Sequence, residues 1–281
     1  MSLAESSATL WETGLYGKLP SQGDFVVRRL PRDFVGPWDD WLQACMSRSR
    51  RDLGETWEQT YQDAPVWRFV LASGEAGPGA WAGVLQPGVD RVGRYFPMTV
   101  AARVAENLDP LATLLRSATW HESIEQAAET AFDAATGIED LDRRIQRIGF
   151  PSDCAAPLQV ASDTTLPIAG REFDALFLPV EPGDTHETLC GVLYSRFLSL
   201  EHAGCAWLTG GTPTVGPALL MAKTLPSARQ FCGLLVGRWE EHGWELVVRT
   251  PQLVPAGHAP HVGKHGEARM EPEQAARRGL G

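Results

Sequence analysis

The sequence predicts an α/β protein of the α+β type, with a mixed or mainly antiparallel sheet flanked by helices. Three observations predict it. Val66 to Ala72, Ala80 to Leu85 and Tyr95 to Arg103 form a run of β-rich segments with no helical pattern between them. Phe34, Trp38, Trp41, Leu42 and Cys45 recur at three- and four-residue steps, which places them on one face of a helix. The later alternation of strand and helix signals is too irregular for a doubly wound parallel sheet.

Residues 1–10 read as a disordered lead. Leu15-Tyr16-Gly17-Lys18-Leu19 starts a strand closed by Pro20, and Asp33 is the expected N-cap of the Phe34–Cys45 helix. A short helix at about 55–62 ends before Pro65. The second and third strands of the run are joined by a loop, Pro87 to Arg94. Asp109-Pro110 opens a helix, a cap residue followed by proline at the first helical position. Thr119-Trp120-His121-Glu122 fits a capping box and predicts a second helix to about Ala135, stopped by Gly137. The segment 138–172, with Pro151, Pro157, Pro167 and Gly170, reads as an irregular connection holding one helix at 139–148. Phe173 to Val180 is a strand, 187–200 a helix, and Cys205–Thr209 and Ala218–Lys223 are strands around a turn. Ser227 to Val236 is a helix ended by Gly237, and Trp244 to Val248 is a closing strand. The chain thus divides into an N-terminal α/β region at 11–137, the connection, a C-terminal α/β region at 173–250 whose strands can share the first sheet, and a flexible tail at 251–281. The N-terminal order of strand, helices, three strands and helices suits a longin- or profilin-like layout, an analogy of fold that carries no function.

Composition narrows the class. With 281 residues, 43% apolar and 21% charged, the chain can bury a core without disulfides. The ten tryptophans read mainly as core fillers, and the sharper reading leaves a few exposed as interface anchors. The net charge of −10 argues against a phosphate backbone as partner. That charge is uneven. Residues 104–142 hold nine acids and one base, a net −8, whereas residues 14–51 hold seven bases and four acids, a net +3. The acidic stretch reads as a solvated helix face that also steers a basic partner. The five scattered cysteines lack C-x-x-C spacing and fit a reducing cytoplasm. No basic region followed by an apolar run opens the chain, and no apolar stretch is long enough to cross a membrane. A cytoplasmic location without direct membrane insertion is therefore expected.

Familiar chemistry finds little support. Lys18 follows Gly17 directly and no Gly-Lys-Ser/Thr occurs, so a P-loop is absent, and Gly17 and Gly23 read instead as turn glycines with positive φ. His258, His261 and His265 have helical ligand spacing, but Pro260 and the neighbouring glycines argue for a plain tail. His121-Glu122 and His186-Glu187 lack the second histidine of a zincin. There is no G-x-S-x-G elbow. No cofactor, metal or catalytic residue is assigned.

Two phrases stand out: Gly17-Lys18-Leu19-Pro20-Ser21-Gln22-Gly23-Asp24-Phe25 and Val89-Asp90-Arg91-Val92-Gly93-Arg94-Tyr95-Phe96-Pro97-Met98-Thr99. Between them lie Trp38-Asp39-Asp40-Trp41-Leu42 and Ala64-Pro65-Val66-Trp67-Arg68-Phe69. Further on come Trp207-Leu208-Thr209-Gly210-Gly211, Leu225-Pro226 and Gly237-Arg238-Trp239. In this order they resemble the TagF (ImpM) family of bacterial type VI secretion, over roughly residues 14 to 249. The resemblance implies post-translational repression of that secretion through binding an assembly component, a scaffold protein with a forkhead-associated domain. It implies no established catalytic centre.

The residues themselves nominate a partner- or anion-binding site: Lys18, Asp24, Phe25, Asp90, Arg91 and Arg94. Arginine forks bind carboxylates and phosphates. The competing reading is an internal network in which Arg91 or Arg94 pairs with Asp90 or Asp24 and pins the loop. At the level of function, a regulatory binding protein without enzymatic activity stands against a hydrolase or phosphoprotein-processing enzyme of the same pathway.

Overall fold

In the computed structural model, residues 12–132, 137–151, 174–196 and 203–247 are described. The lead at 1–10, the tail with its three histidines and most of the segment around Pro157 and Pro167 lie outside them.

One sheet of nine strands organises these residues. In chain order they are β1 (Thr13–Gly17), β2 (Val26–Arg28), β3 (Trp67–Leu71), β4 (Ala80–Gln86), β5 (Met98–Val104), β6 (Ala175–Pro179), β7 (Cys205–Thr209), β8 (Ala218–Ala222) and β9 (Glu245–Leu246). Their spatial order is β2-β1-β5-β4-β3-β7-β8-β6-β9. All pairs are antiparallel except β6–β9. The N-terminal five strands form one half of the sheet. It continues without a break into the C-terminal half through β3–β7, where Phe69 faces Trp207 and Val70 faces Ala206.

Alternation along the strands feeds two cores, because successive side chains point to opposite faces. On one face Val70, Ala82, Val84, Val100 and Leu219 pack with α3 (Pro110–Arg116), α4 (Ala118–Glu129), α5 (Ile138–Gln146) and α6 (His186–Arg196). On the other, Trp67, Phe69, Leu71, Trp81 and Trp207 pack with α1 (Arg32–Leu53), α2 (Trp57–Gln62) and α7 (Ala228–Val236). The apolar stripe of α1 buries Phe34, Trp38, Leu42 and Cys45, as its spacing predicts. Trp38 lies 6.3 Å from Trp207 and 5.1 Å from Phe69, and its indole N–H donates to Thr99 Oγ1 at 2.9 Å. Trp41 bridges to α7 and donates to the Pro226 carbonyl at 2.7 Å. These hydrogen bonds satisfy the indole donors of Trp38 and Trp41.

Several boundaries differ from expectation. Helix α1 begins at Arg32 after Pro31, with no side-chain cap, so Asp33 lies inside the first turn, where its charge favours the helix dipole. Thr119 does not start α4. A single residue, Ser117, separates α3 from α4, and its hydroxyl donates to the Thr113 carbonyl at 2.7 Å rather than capping. Gly137 is the N-cap of α5 and not the stop of α4. The tryptophan-anchor reading is also corrected: no tryptophan among the described residues is exposed, and the exposed aromatics are Phe25 and Phe132.

Candidate binding site

The two phrases meet at one end of the β1–β5 pair. Gly17 ends β1 at φ +132, and a Cβ there would sit 2.2 Å from the Pro97 carbonyl oxygen, so only glycine lets the chain turn this close to the second phrase. Gly23 is not at positive φ, contrary to expectation. Its missing side chain leaves room for the Arg91 guanidinium, whose Nη2 would lie 3.3 Å from a Cβ. The Arg91 amide donates to the Gln22 carbonyl at 2.9 Å and ties the loops together.

Asp90 is the hub. Its buried carboxylate accepts from the Val92 amide at 3.0 Å and the Arg94 amide at 2.9 Å through Oδ1. Oδ2 takes Arg94 Nε at 2.6 Å and Lys18 Nζ at 3.1 Å. Burial alone would push the carboxyl up. The Arg94 amide and guanidinium, Lys18 and the Val92 amide outweigh burial and hold it well below the usual carboxylate range. Lys18 is itself buried, and its ammonium stands 5.1 Å from the Phe25 ring centre. Arg94 also donates to the Gly23 carbonyl and approaches Asp24 at 3.9 Å.

These contacts sort the nominated residues by task. Lys18, Asp90 and Arg94 form the internal network that pins the loop, so the pinning arginine is Arg94. Arg91 forms no ion pair among the described residues and is exposed, as are Asp24 and Phe25. Phe25 is 47% exposed although its ring packs on Tyr16 and Phe96, at 5.8 and 4.8 Å. Val92, at the loop tip, is 67% exposed, and Val27 on the edge strand β2 is 44% exposed. Sequence reasoning passed over Val92 and Val27. The signal was present in an apolar residue between two arginines, but a three-residue strand is too short for periodicity to register.

Beside this surface opens a cleft of about 810 Å³ lined by Lys18, Arg50, Trp57, Glu58, Arg94 and Tyr95. Arg50 lies over the Trp57 ring at 4.3 Å, and Tyr95 donates to Glu58 at 2.6 Å. The arrangement offers an aromatic floor, charges of both signs and two arginines, Arg50 and Arg91, that form no ion pair among the described residues, which are means of recognising a polar protein surface.

Residues 14–148 match the family described as the TagF N-terminal domain, type VI secretion system-associated. The fold is similar to the crystal structure of PA0076 from Pseudomonas aeruginosa PAO1, with a TM-score of 0.64 and 30% sequence identity, over 85% of this chain and 98% of that one. No curated protein matches the chain. An α+β protein associated with type VI secretion is the class so defined, and the chain belongs to the TagF family. No helix among the described residues is long and apolar enough to cross a membrane.

Proposed function

We propose that this protein is a cytoplasmic regulatory binding protein, without enzymatic activity, that represses type VI secretion after its components have been made. It does so by occupying an assembly component, for which the family resemblance suggests a scaffold protein with a forkhead-associated domain. A bound scaffold is drawn away from its assembly-competent state, which is repression by population shift. The observation that best supports this reading is the division of labour around Asp90. Lys18 and Arg94 are held by the buried carboxylate. Arg91, which forms no ion pair among the described residues, and the exposed Phe25 and Val92 are thereby presented to a partner on two preorganised loops.

The test is overproduction of the protein in a secreting strain, with secreted effector, component levels and scaffold co-purification measured together. The reading predicts silenced secretion at unchanged component levels, with the scaffold in complex. Turnover of a phosphopeptide by the purified protein, abolished by one point substitution, would instead establish the processing enzyme.

A further inference from the structure

A second concave surface lies between α2, the end of β4 with the start of the loop that follows it, and the C-terminal end of α4. It is a groove of about 410 Å³ whose walls include Val66, Gln86, Val89, Tyr95, Glu129 and Phe132. That volume suits one or two large apolar side chains. Three features single it out. Phe132 is 42% exposed at the rim, an aromatic ring left in water at the mouth of an apolar groove. Gln86 in its wall is 4% exposed, and its Nε2 is one of nine buried side-chain atoms without a hydrogen-bond partner among the described residues.

The third feature is charge. Glu122, Glu125 and Glu129 follow one another at three- and four-residue steps and share one face of α4. Arg68 reaches Glu125 at 2.7 Å and Glu122 at 3.6 Å, so one base serves two acids. Glu129, at the groove, is exposed and pairs with no base among the described residues. The groove therefore joins an apolar seat to an under-neutralised acidic stripe with an acid at each turn, inside the segment of net −8. A helix laid beside α4 would present its own basic residues at the same interval.

We propose that this groove docks a basic amphipathic helix of a protein partner, with a leucine-like side chain seated against Phe132 and Val66 and a lysine or arginine beside Glu129. Arg91 does not line this groove, although Val89 and Tyr95 of the same loop do, and the proposal goes beyond the regulatory reading. The groove supplies the apolar anchor, and the acidic rim supplies steering and orientation.

The experiment measures fluorescence anisotropy of the full chain with a labelled peptide, acetyl-KLLKKLLKKLLK-amide. Two control peptides carry serine for every leucine or glutamate for every lysine. The proposal expects saturable binding of the first peptide that weakens with salt, and at least about tenfold weaker binding of both controls. Glu129→Lys and Phe132→Ser should each weaken binding about tenfold at an unchanged melting temperature, since exposed substitutions cost little stability. Val66→Trp, which fills the seat, should abolish binding, and if it lowers the melting temperature the two rim variants decide the outcome. Arg91→Glu should leave peptide binding intact, so failure here is distinguishable from failure of the loop surface. The proposal is overturned if the first peptide does not bind or if the rim variants bind it like the parent. It is equally overturned if the serine control binds as well, which means charge alone, or if the glutamate control does, which means an apolar seat without charge preference.

Discussion

Asp90 and Arg91 are adjacent in sequence and opposite in task. Replacing Asp90 by Asn leaves Lys18 buried without its counter-charge and unties Arg94. The expected result is a clear drop in melting temperature together with loss of partner binding, because removing one member of a buried pair strands the other. Arg91→Glu should abolish binding at an unchanged melting temperature. Arg94 belongs with Asp90, so reversing its charge should cost stability as well as binding. The sequence pointed to these residues through their density of charge and glycine. It could not say which arginine the acid would hold, because that depends on backbone amides converging on one carboxylate oxygen.

His121 is a second residue with a measurable consequence. It is fully buried, with Nδ1 3.0 Å from the Ser117 carbonyl oxygen, and burial, helped by Arg68, pushes its pKa down to about 4. In the unfolded chain it takes a proton below about pH 6.5. Between roughly pH 6.5 and pH 4 the unfolded state therefore binds more protons than the folded state, and stability falls as pH falls. The contribution is fully present above about pH 6.5, and about 3 kcal/mol is lost by pH 4. Denaturant titrations at pH 7 and pH 5 should show this slope in the parent and a shallower one in His121→Gln.

At the scale of elements, the legible boundaries were those set by local chemistry. Asp109 caps α3 through the Ala112 amide at 3.0 Å. Ser227 and Gln230 form a reciprocal capping box on α7, and Gly237 follows it at φ +78. Asp109→Ala and Ser227→Ala should each cost about 1 kcal/mol in chemical denaturation. The pattern at Thr119 misled because a single residue joins α3 to α4, which places a start signal inside a helix already begun. The edge strand β2 and the closing strand β9 are three and two residues long. The closing strand falls within the Trp244–Val248 strand that the sequence predicts, whereas β2 is held by its neighbour in the sheet and nothing in so short a stretch announces it.

At the scale of the whole molecule, the antiparallel sheet and its helical cover were legible because period-two and period-3.6 patterns are separable over long windows. The strand order was less so. Pairing of β3 with β7 brings together residues far apart in the chain, and Phe69 opposite Trp207 is a tertiary choice. That pairing makes the two halves one sheet and sets the tryptophan core against α1 and α7, so the loop surface rests on a rigid foundation. The proposed repression through a surface would draw on such a foundation, because a preorganised surface leaves little ordering cost for binding.

The most direct measurement of the central claim compares three strains that overproduce the parent, Arg91→Glu or Asp90→Asn at matched levels. Secreted effector, secretion-component levels and co-purified scaffold are read in each. The account predicts that the parent silences secretion and retains the scaffold without lowering component levels. Arg91→Glu should be equally stable yet neither retain the scaffold nor silence secretion. If Arg91→Glu silences secretion and retains the scaffold as the parent does, the loop surface is not where the partner is held.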